Sequence, residues 1–195
     1  HSFPTRRSSD LPRRYDPDKW CAAASRAGFT YAVLTTKHHD GYALWPSEYS
    51  DFGVKTSLNG RDLLQPYVDA CRNNGLKVGF YFSFADWHRA GYPVGDVDYD
   101  FNRRGQFPPM DEDEDQRLFE NFYEFSIGQV DELLTRYGTI DLLWFDGVGW
   151  KNRDSTALRS AETIRRIRSQ QPGIVINNRW GKIGDYTTPE CHFPE

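Results

Sequence analysis

The segment TIDLLWFDG, residues 139–147, gathers Ile140, Leu142, Leu143, Trp144 and Phe145 into one short run and then stops on Asp146 and Gly147. A short, uninterrupted apolar stretch closed by a turn signal reads as a strand buried on both faces. Three other segments share the pattern: FTYAVLTT (29–36), LKVGFYFSF (76–84) and IVINNRW (174–180). Helical patterns lie around and between them. The first, 16–28, has Asp16 as cap, Pro17 at the first position and Gly28 after the last turn. The second, 61–75, sets Leu63, Leu64, Tyr67, Val68 and Cys71 on one face, and tolerates Pro66 only in its first turn. A third runs from about Gln116 to Tyr137 with Leu118, Phe122, Val130, Leu133 and Tyr137 apolar. The fourth, 155–173, turns Leu158, Ala161, Ile164 and Ile167 inward. Such alternation predicts parallel strands joined by helical crossovers. Neither GxGxxG nor GxxxxGK[ST] occurs, so the nucleotide-binding folds lose their main support. The expected architecture is α/β, a partial TIM-like (β/α)8 barrel with about four βα units present.

The bulk properties agree with one such unit. The chain has 195 residues, 38% hydrophobic and 15% aromatic, enough to bury a core. A net charge of −4 and a pI near 5.8 leave no basic face for nucleic acid, and no run approaches the length of a membrane span. Cys21, Cys71 and Cys191 are widely spaced and lack a CxxC, which argues against a disulfide framework or a zinc site. Residues 1–11, HSFPTRRSSDL, back-translate to a string resembling a common short-read sequencing adapter, and are set apart from residues 12–195 as artefactual. The end at PECHFPE has no closing element, so the chain is expected to be an internal fragment of a longer protein.

Polar and aromatic residues fall at the C-terminal ends of the apolar strands. The first ends in His38, His39 and Asp40; the second runs through Tyr81 and Ser83 to Asp86, Trp87 and His88. The third ends in Trp144 and Asp146; the fourth in Asn177, Asn178, Arg179 and Trp180. That is the face on which barrel enzymes build their sites. One such ending could be a satisfied core group, but four together favour a site, since each buried polar group costs about 1–3 kcal/mol if unpaired. Tryptophans 45, 87, 144 and 180 offer ring faces to a sugar, and His, Asn and Arg would hold its hydroxyls. Asp146 needs partners to stay ionised at the end of an apolar strand. It suits the nucleophile of a retaining glycosidase, with a second carboxyl about 5 Å away. A purely structural Asx turn is the alternative for that residue.

The ordered set LTTKHHDGYALW, KVGFYFSFADW, IDLLWFDG, NNRWG and GDYTTPE resembles the glycoside hydrolase family 29 α-L-fucosidases, nearly continuously from Asp16 to Glu195. KHHDG followed by LW is the specific part; WFDG alone is weak. The resemblance implies exo-hydrolysis of terminal α-L-fucosyl residues from glycans or glycoconjugates with retention, through a covalent fucosyl-enzyme intermediate. It matches Asp146 to the nucleophile and Glu190 to an acid/base whose position varies among branches of the family. It matches His38 and His39 to a hydroxyl-binding pair, and Tyr81 and Arg179 to site residues; Trp45 and Trp87 are expected as further substrate contacts on their ring faces alone. It implies no cofactor, no metal, and a fucosylated oligosaccharide or glycoconjugate as partner. It also implies a secreted, periplasmic or lysosomal-type compartment. The fragment alone is expected not to turn over substrate, since further barrel strands and a C-terminal β-sandwich would be missing.

Two other functions compete. A metal-dependent hydrolase on the same barrel would use His38, His39 and Asp40 as ligands. Neighbours on a strand point to opposite faces, so both histidines could meet one ion only through a bulge. A catalytically inactive sugar-binding relative is the other. Asp86-Trp87-His88 either lines the cleft rim or caps its strand. The acidic run DEDED (111–115) lacks the ligand spacing of a calcium loop and reads as a solvated lead into a helix. Cys191 reads as a buried thiol.

Overall fold

The structure, a computed structural model, describes residues 15–89, 112–147 and 159–189. The segment 1–11, Leu158, Glu190 and Cys191 lie outside the described residues. The elements run α1 (Pro17–Arg26), β1 (Tyr31–Lys37), α2 (Val54–Ser57), α3 (Leu64–Asn73), β2 (Lys77–Ser83), α4 (Glu112–Arg136), β3 (Leu142–Asp146), α5 (Ser160–Gln170) and β4 (Val175–Ile176). The four strands form one parallel sheet in the order β1-β2-β3-β4. In a doubly wound fold the strand order reverses at a switch point. Here it advances in one direction, as in part of a TIM-like barrel.

Local chemistry explains the elements. Asp16 caps α1 by accepting from the Lys19 N–H at 3.1 Å, with Pro17 behind it. Asp62 does the same for α3, accepting from Leu64 and Gln65 at 2.7 and 3.2 Å, which puts Pro66 in the first turn. The thiols of Cys21 on α1 and Cys71 on α3 are buried and not joined by a disulfide, and share a hydrogen bond with their Sγ atoms 3.7 Å apart. Helix α4 begins at Glu112, inside the acidic run, rather than near Gln116. In α5 the buried residues are Ser160, Thr163, Ile164 and Ile167, and Ala161 faces outward. The helix begins later than its apolar pattern suggests, so its inner face starts at Ser160. Among the described residues no helix is long and apolar enough to cross a membrane.

The sheet has two distinct faces. Phe80, Phe82, Leu143 and Phe145 point into the helix layer, where they meet Tyr67, Val68, Phe122, Val130 and Leu133. Tyr81, Ser83, Trp144 and Asp146 alternate with them and face the other way. A one-residue slip would exchange the two sets. At about 1.5–3 kcal/mol for each large apolar side chain removed from the core, that slip is not competitive. β1 breaks this rule once: Thr35 pairs with Tyr81 but Lys37 pairs with Phe82, leaving Thr36 as an extra residue. The Thr36 hydroxyl donates to the Tyr81 carbonyl at 2.8 Å, fixing the irregularity to β2. Beyond it Lys37 shares the face of Phe82, and its ammonium lies 4.5 Å from the Phe82 ring centroid inside the helix layer.

β4 has only two residues, against the seven of the segment 174–180. Beside and beyond it, side chains share the ladder with a few backbone bonds, among them Asn177 N–H to the Leu143 carbonyl at 3.4 Å. Asn177 accepts from the Phe145 N–H at 2.8 Å and donates to the Phe145 carbonyl at 2.9 Å. On its outer side, Asp185 accepts from the Ile176 N–H at 2.8 Å.

Candidate active site

Asp146 sits at the end of β3, opposite Ser83 of β2, on the sheet face away from the helices. Its Oδ2 accepts from the Tyr81 hydroxyl at 2.6 Å. Its Oδ1 accepts from Arg179 at 2.6 Å and from the Gly147 N–H at 2.8 Å. Gly147 has φ +73°, and a Cβ there would stand 2.6 Å from that of Ala85, so the turn requires glycine. Burial pushes the Asp146 carboxyl upward, but the bonds from Tyr81, Arg179 and Gly147 outweigh it and hold it below the ordinary aspartate value. At neutral pH the group is an anion. It can attack or stabilise positive charge, and it has no proton to give.

Arg179 links Asp146 to the segment before Glu190. Its Nε donates to the Thr188 hydroxyl at 2.8 Å and its second terminal nitrogen to the Thr188 carbonyl at 3.1 Å. Asn177 also reaches that hydroxyl, at 3.3 Å. Thr188 stands two residues from Glu190, so one guanidinium couples Asp146 at the end of β3 to the stretch that precedes Glu190.

The two histidines meet on the same side because β1 ends at Lys37 and a turn follows, closed by Gly41 N–H to the His38 carbonyl at 3.0 Å. Their ring centroids are 4.2 Å apart. His38 stacks on Tyr81 at 5.6 Å with only 8° between the planes. His39 approaches Ser83 through Nδ1, at 2.6 Å. The Ser83 hydroxyl donates its own proton to the Ala85 carbonyl at 2.9 Å, so it accepts from His39. A neutral His39 therefore carries its proton on Nδ1 and presents an acceptor at Nε2. Trp87 lies against His39, ring centroids 5.5 Å apart, and its backbone N–H donates to the His39 carbonyl at 2.8 Å. Asp40 turns back to its own loop, accepting from the Tyr42 N–H at 3.4 Å. The three residues therefore do not converge on one point, and among the described residues no group of three or more His, Cys, Asp or Glu is arranged to hold a metal ion.

Six expected site residues thus form one continuous chain of contacts: Trp87, His39, His38, Tyr81, Asp146 and Arg179. Trp45 is not among them, and its expected role as a substrate contact is corrected. It is completely buried in the helix layer, and its indole N–H donates to Glu132 at 2.8 Å. Trp180 is likewise enclosed, packed on Phe84 and Phe145 at 4.3 and 4.7 Å. Trp144 keeps partial exposure and tilts against Tyr81 at 6.5 Å. The Asp86-Trp87-His88 triplet divides its duties. Asp86 is buried and accepts from the His88 and Arg89 N–H groups at 3.1 and 2.9 Å, Trp87 joins the site, and His88 stacks on Phe52. Ser83, named as a polar residue of the second strand, takes up the anchoring of His39, whereas Thr188 and Lys37 were not singled out by residue type, though each sits within a quoted motif.

This arrangement can be set beside known proteins. The family model "Alpha-L-fucosidase" matches residues 8–195. The chain belongs to the α-L-fucosidase family. Among curated relatives, it is 34% identical over 183 residues to alpha-L-fucosidase 1 of Arabidopsis thaliana, covering 89% of this chain and 31% of that protein. It is 30% identical over 177 residues to the tissue alpha-L-fucosidase of Bos taurus, covering 87% and 33%. The chain spans about one third of the length of these family members. Among solved structures, alpha-L-fucosidase isoenzyme 1 from Paenibacillus thiaminolyticus superposes with a TM-score of 0.82 at 39% identity, covering 95% of this chain and 45% of that one. A family 29 enzyme from Bacteroides thetaiotaomicron, trapped as a covalent intermediate with 2-fluoro-fucosyl fluoride, gives a TM-score of 0.72 at 30% identity, covering 93% and 39%.

Proposed function

We propose that the protein carrying this chain is a retaining exo-α-L-fucosidase, with Asp146 as its nucleophile. The observation that carries the reading is an aspartate at a strand end whose two oxygens take bonds from Tyr81, Arg179 and Gly147 and which is thereby kept ionised. Among the described residues Oδ2 accepts a single hydrogen bond and so keeps a lone pair for attack. In the first step Oδ2 bonds to the anomeric carbon of the α-fucoside from the face opposite the leaving group. The bond to the leaving oxygen breaks, and that oxygen takes a proton from the acid, the role proposed for Glu190. The fucosyl ester so formed is β-linked. Water then attacks the anomeric carbon, gives its proton to the same group, and releases α-fucose and the Asp146 carboxylate. In this reading His38, stacked against Tyr81, and His39, anchored by Ser83, hold the sugar's hydroxyls, with Trp87 closing that end. The substrate class is a fucosylated oligosaccharide or glycoconjugate.

The test is hydrolysis of an aryl α-L-fucoside by the full-length protein, with an aryl β-D-galactoside as control and proton NMR to identify the first anomer released. Hydrolysis of the fucoside alone, with α-fucose appearing first, is expected. No fucoside cleavage, or β-fucose first, overturns the reading.

The pH profile supplies a second check. A nucleophile held below the ordinary aspartate value puts the acid limb of kcat/KM below that value too, since activity is lost only as pH falls through it. Arg179→Met removes the guanidinium, so the Asp146 carboxyl rises and the acid limb moves to higher pH. Loss of one preorganised charge partner should also lower kcat/KM at neutral pH by about 10²-fold. An unmoved acid limb in the kcat/KM profile counts against Asp146 as the group that titrates there.

A further inference from the structure

Behind the histidine pair lies a buried charge that the mechanism above does not use. Lys37 and Asp86 are 0% and 2% exposed, and the ammonium donates to Asp86 Oδ2 at 3.1 Å. The ammonium also donates to Gln129 of α4 at 3.0 Å, and lies over the rings of Phe82 and Phe125 at 4.5 and 5.2 Å. Such a pair costs desolvation on both partners, and apolar residues of similar volume are often as stable or more so. Net stability is therefore a weak reason for it.

Its connections suggest a better one. Lys37 immediately precedes His38 and His39, and Asp86 immediately precedes Trp87. The two flanking segments are tied by the Trp87 N–H to the His39 carbonyl at 2.8 Å. Asp86 Oδ1 holds the chain beyond Trp87 through the N–H groups of His88 and Arg89. The turn carrying the histidines packs directly on the same carboxylate: at Gly41, with φ +85°, a Cβ would stand 2.2 Å from Asp86 Oδ1. One carboxylate thus bears on the end of β1, the turn after it and the segment after β2, and Lys37 anchors all three to α4.

We propose that the Lys37–Asp86 pair is a positioning device which sets the seat of His39 against Trp87, and through it the grip on the sugar's hydroxyls. The inference rests on the fucosidase reading for its kinetic consequence but not for its structural one. Asp146, Tyr81 and Arg179 are not touched by the pair, so its loss should weaken ground-state binding more than bond cleavage.

The experiment is a cycle of Lys37→Met, Asp86→Asn and the double variant in the full-length protein, with Tm, KM and kcat on aryl α-L-fucoside, and the 15N shifts of the His39 imidazole. Asn keeps an oxygen for the His88 and Arg89 N–H groups. The double variant leaves no unpaired buried charge, so its Tm should lie above that of either single variant. Its KM should still rise about tenfold with kcat changed by no more than about twofold, and the His39 shifts should move. A double variant with wild-type KM and unmoved His39 shifts overturns the proposal, as does a fall in kcat at constant KM. If the double variant does not fold, Lys37→Met alone is read by the same outcomes. If the wild type cleaves no fucoside, the fucosidase reading fails by itself. The His39 shifts then decide the positioning role: movement supports it and constancy overturns it.

Discussion

Replacing Asp146 with glycine in the full-length protein is expected to lower aryl α-L-fucoside hydrolysis on the order of 10⁴-fold, the scale seen when a covalent nucleophile is removed. The fold should survive. The Asp146 side chain is 22% exposed, so water can enter its place, and Arg179 keeps its two bonds to Thr188. In the proposed mechanism the gap left by the carboxylate lies on the face opposite the leaving group, where a small anion can attack. Added azide should therefore restore turnover and give β-fucosyl azide, azide bonding to the anomeric carbon as the aryl oxide departs. A residual rate within about tenfold of wild type would remove Asp146 from the nucleophile's role. Recovery of α-fucosyl azide would contradict the proposed side of attack.

The second large effect is on stability. Asp86→Ala leaves the Lys37 ammonium completely buried, with Gln129 as its remaining hydrogen-bond partner among the described residues. Breaking a buried pair in this way costs about 3–5 kcal/mol. The pH dependence has a definite sign. Burial holds Lys37 below the ordinary lysine range, while Asp86 pulls it back up. Between the folded and unfolded values the unfolded chain binds more protons, so stability rises with pH. Removing Asp86 lowers the folded value further and widens that interval downward. The penalty should therefore shrink as pH rises from the variant's folded value to the wild type's, and stay level above it, where both chains gain stability with pH alike. Urea unfolding of wild type and variant at about pH 7 and about pH 9.5 reads this directly. A loss below about 1 kcal/mol, or one equal at both values, would mean that the ammonium is not held charged in the core.

Much of the scaffold was legible in the residues. Strands buried on both faces are short apolar runs, so LKVGFYFSF and TIDLLWFDG announced β2 and β3 nearly to their ends. Strand-end polarity likewise located Tyr81, Asp146 and Arg179, because a polar group there must find partners, and these three find one another. What was not legible depends on neighbours distant in sequence. Trp45 and Trp180 have the composition of sugar platforms, yet α4 supplies Glu132 to one and Phe84 and Phe145 enclose the other. β4 is shorter than its apolar segment, and around it the side chains of Asn177 and Asp185 share the ladder with backbone bonds, an arrangement no local pattern announces. Lys37 was hidden inside the most recognisable motif of the chain, since nothing local says that its partner lies 49 residues away.

The single surplus residue at Thr36 has a consequence for anyone aligning or redesigning this strand. Residues 31–35 and 37–39 are out of phase, like two rulers joined with half a division missing. Counting inside and outside straight through the joint would assign Lys37 to the cleft and away from its carboxylate. A gap placed anywhere from 35 to 37 in an alignment is thus a change of side rather than of length, and the neighbouring residues must be scored on either side of it separately.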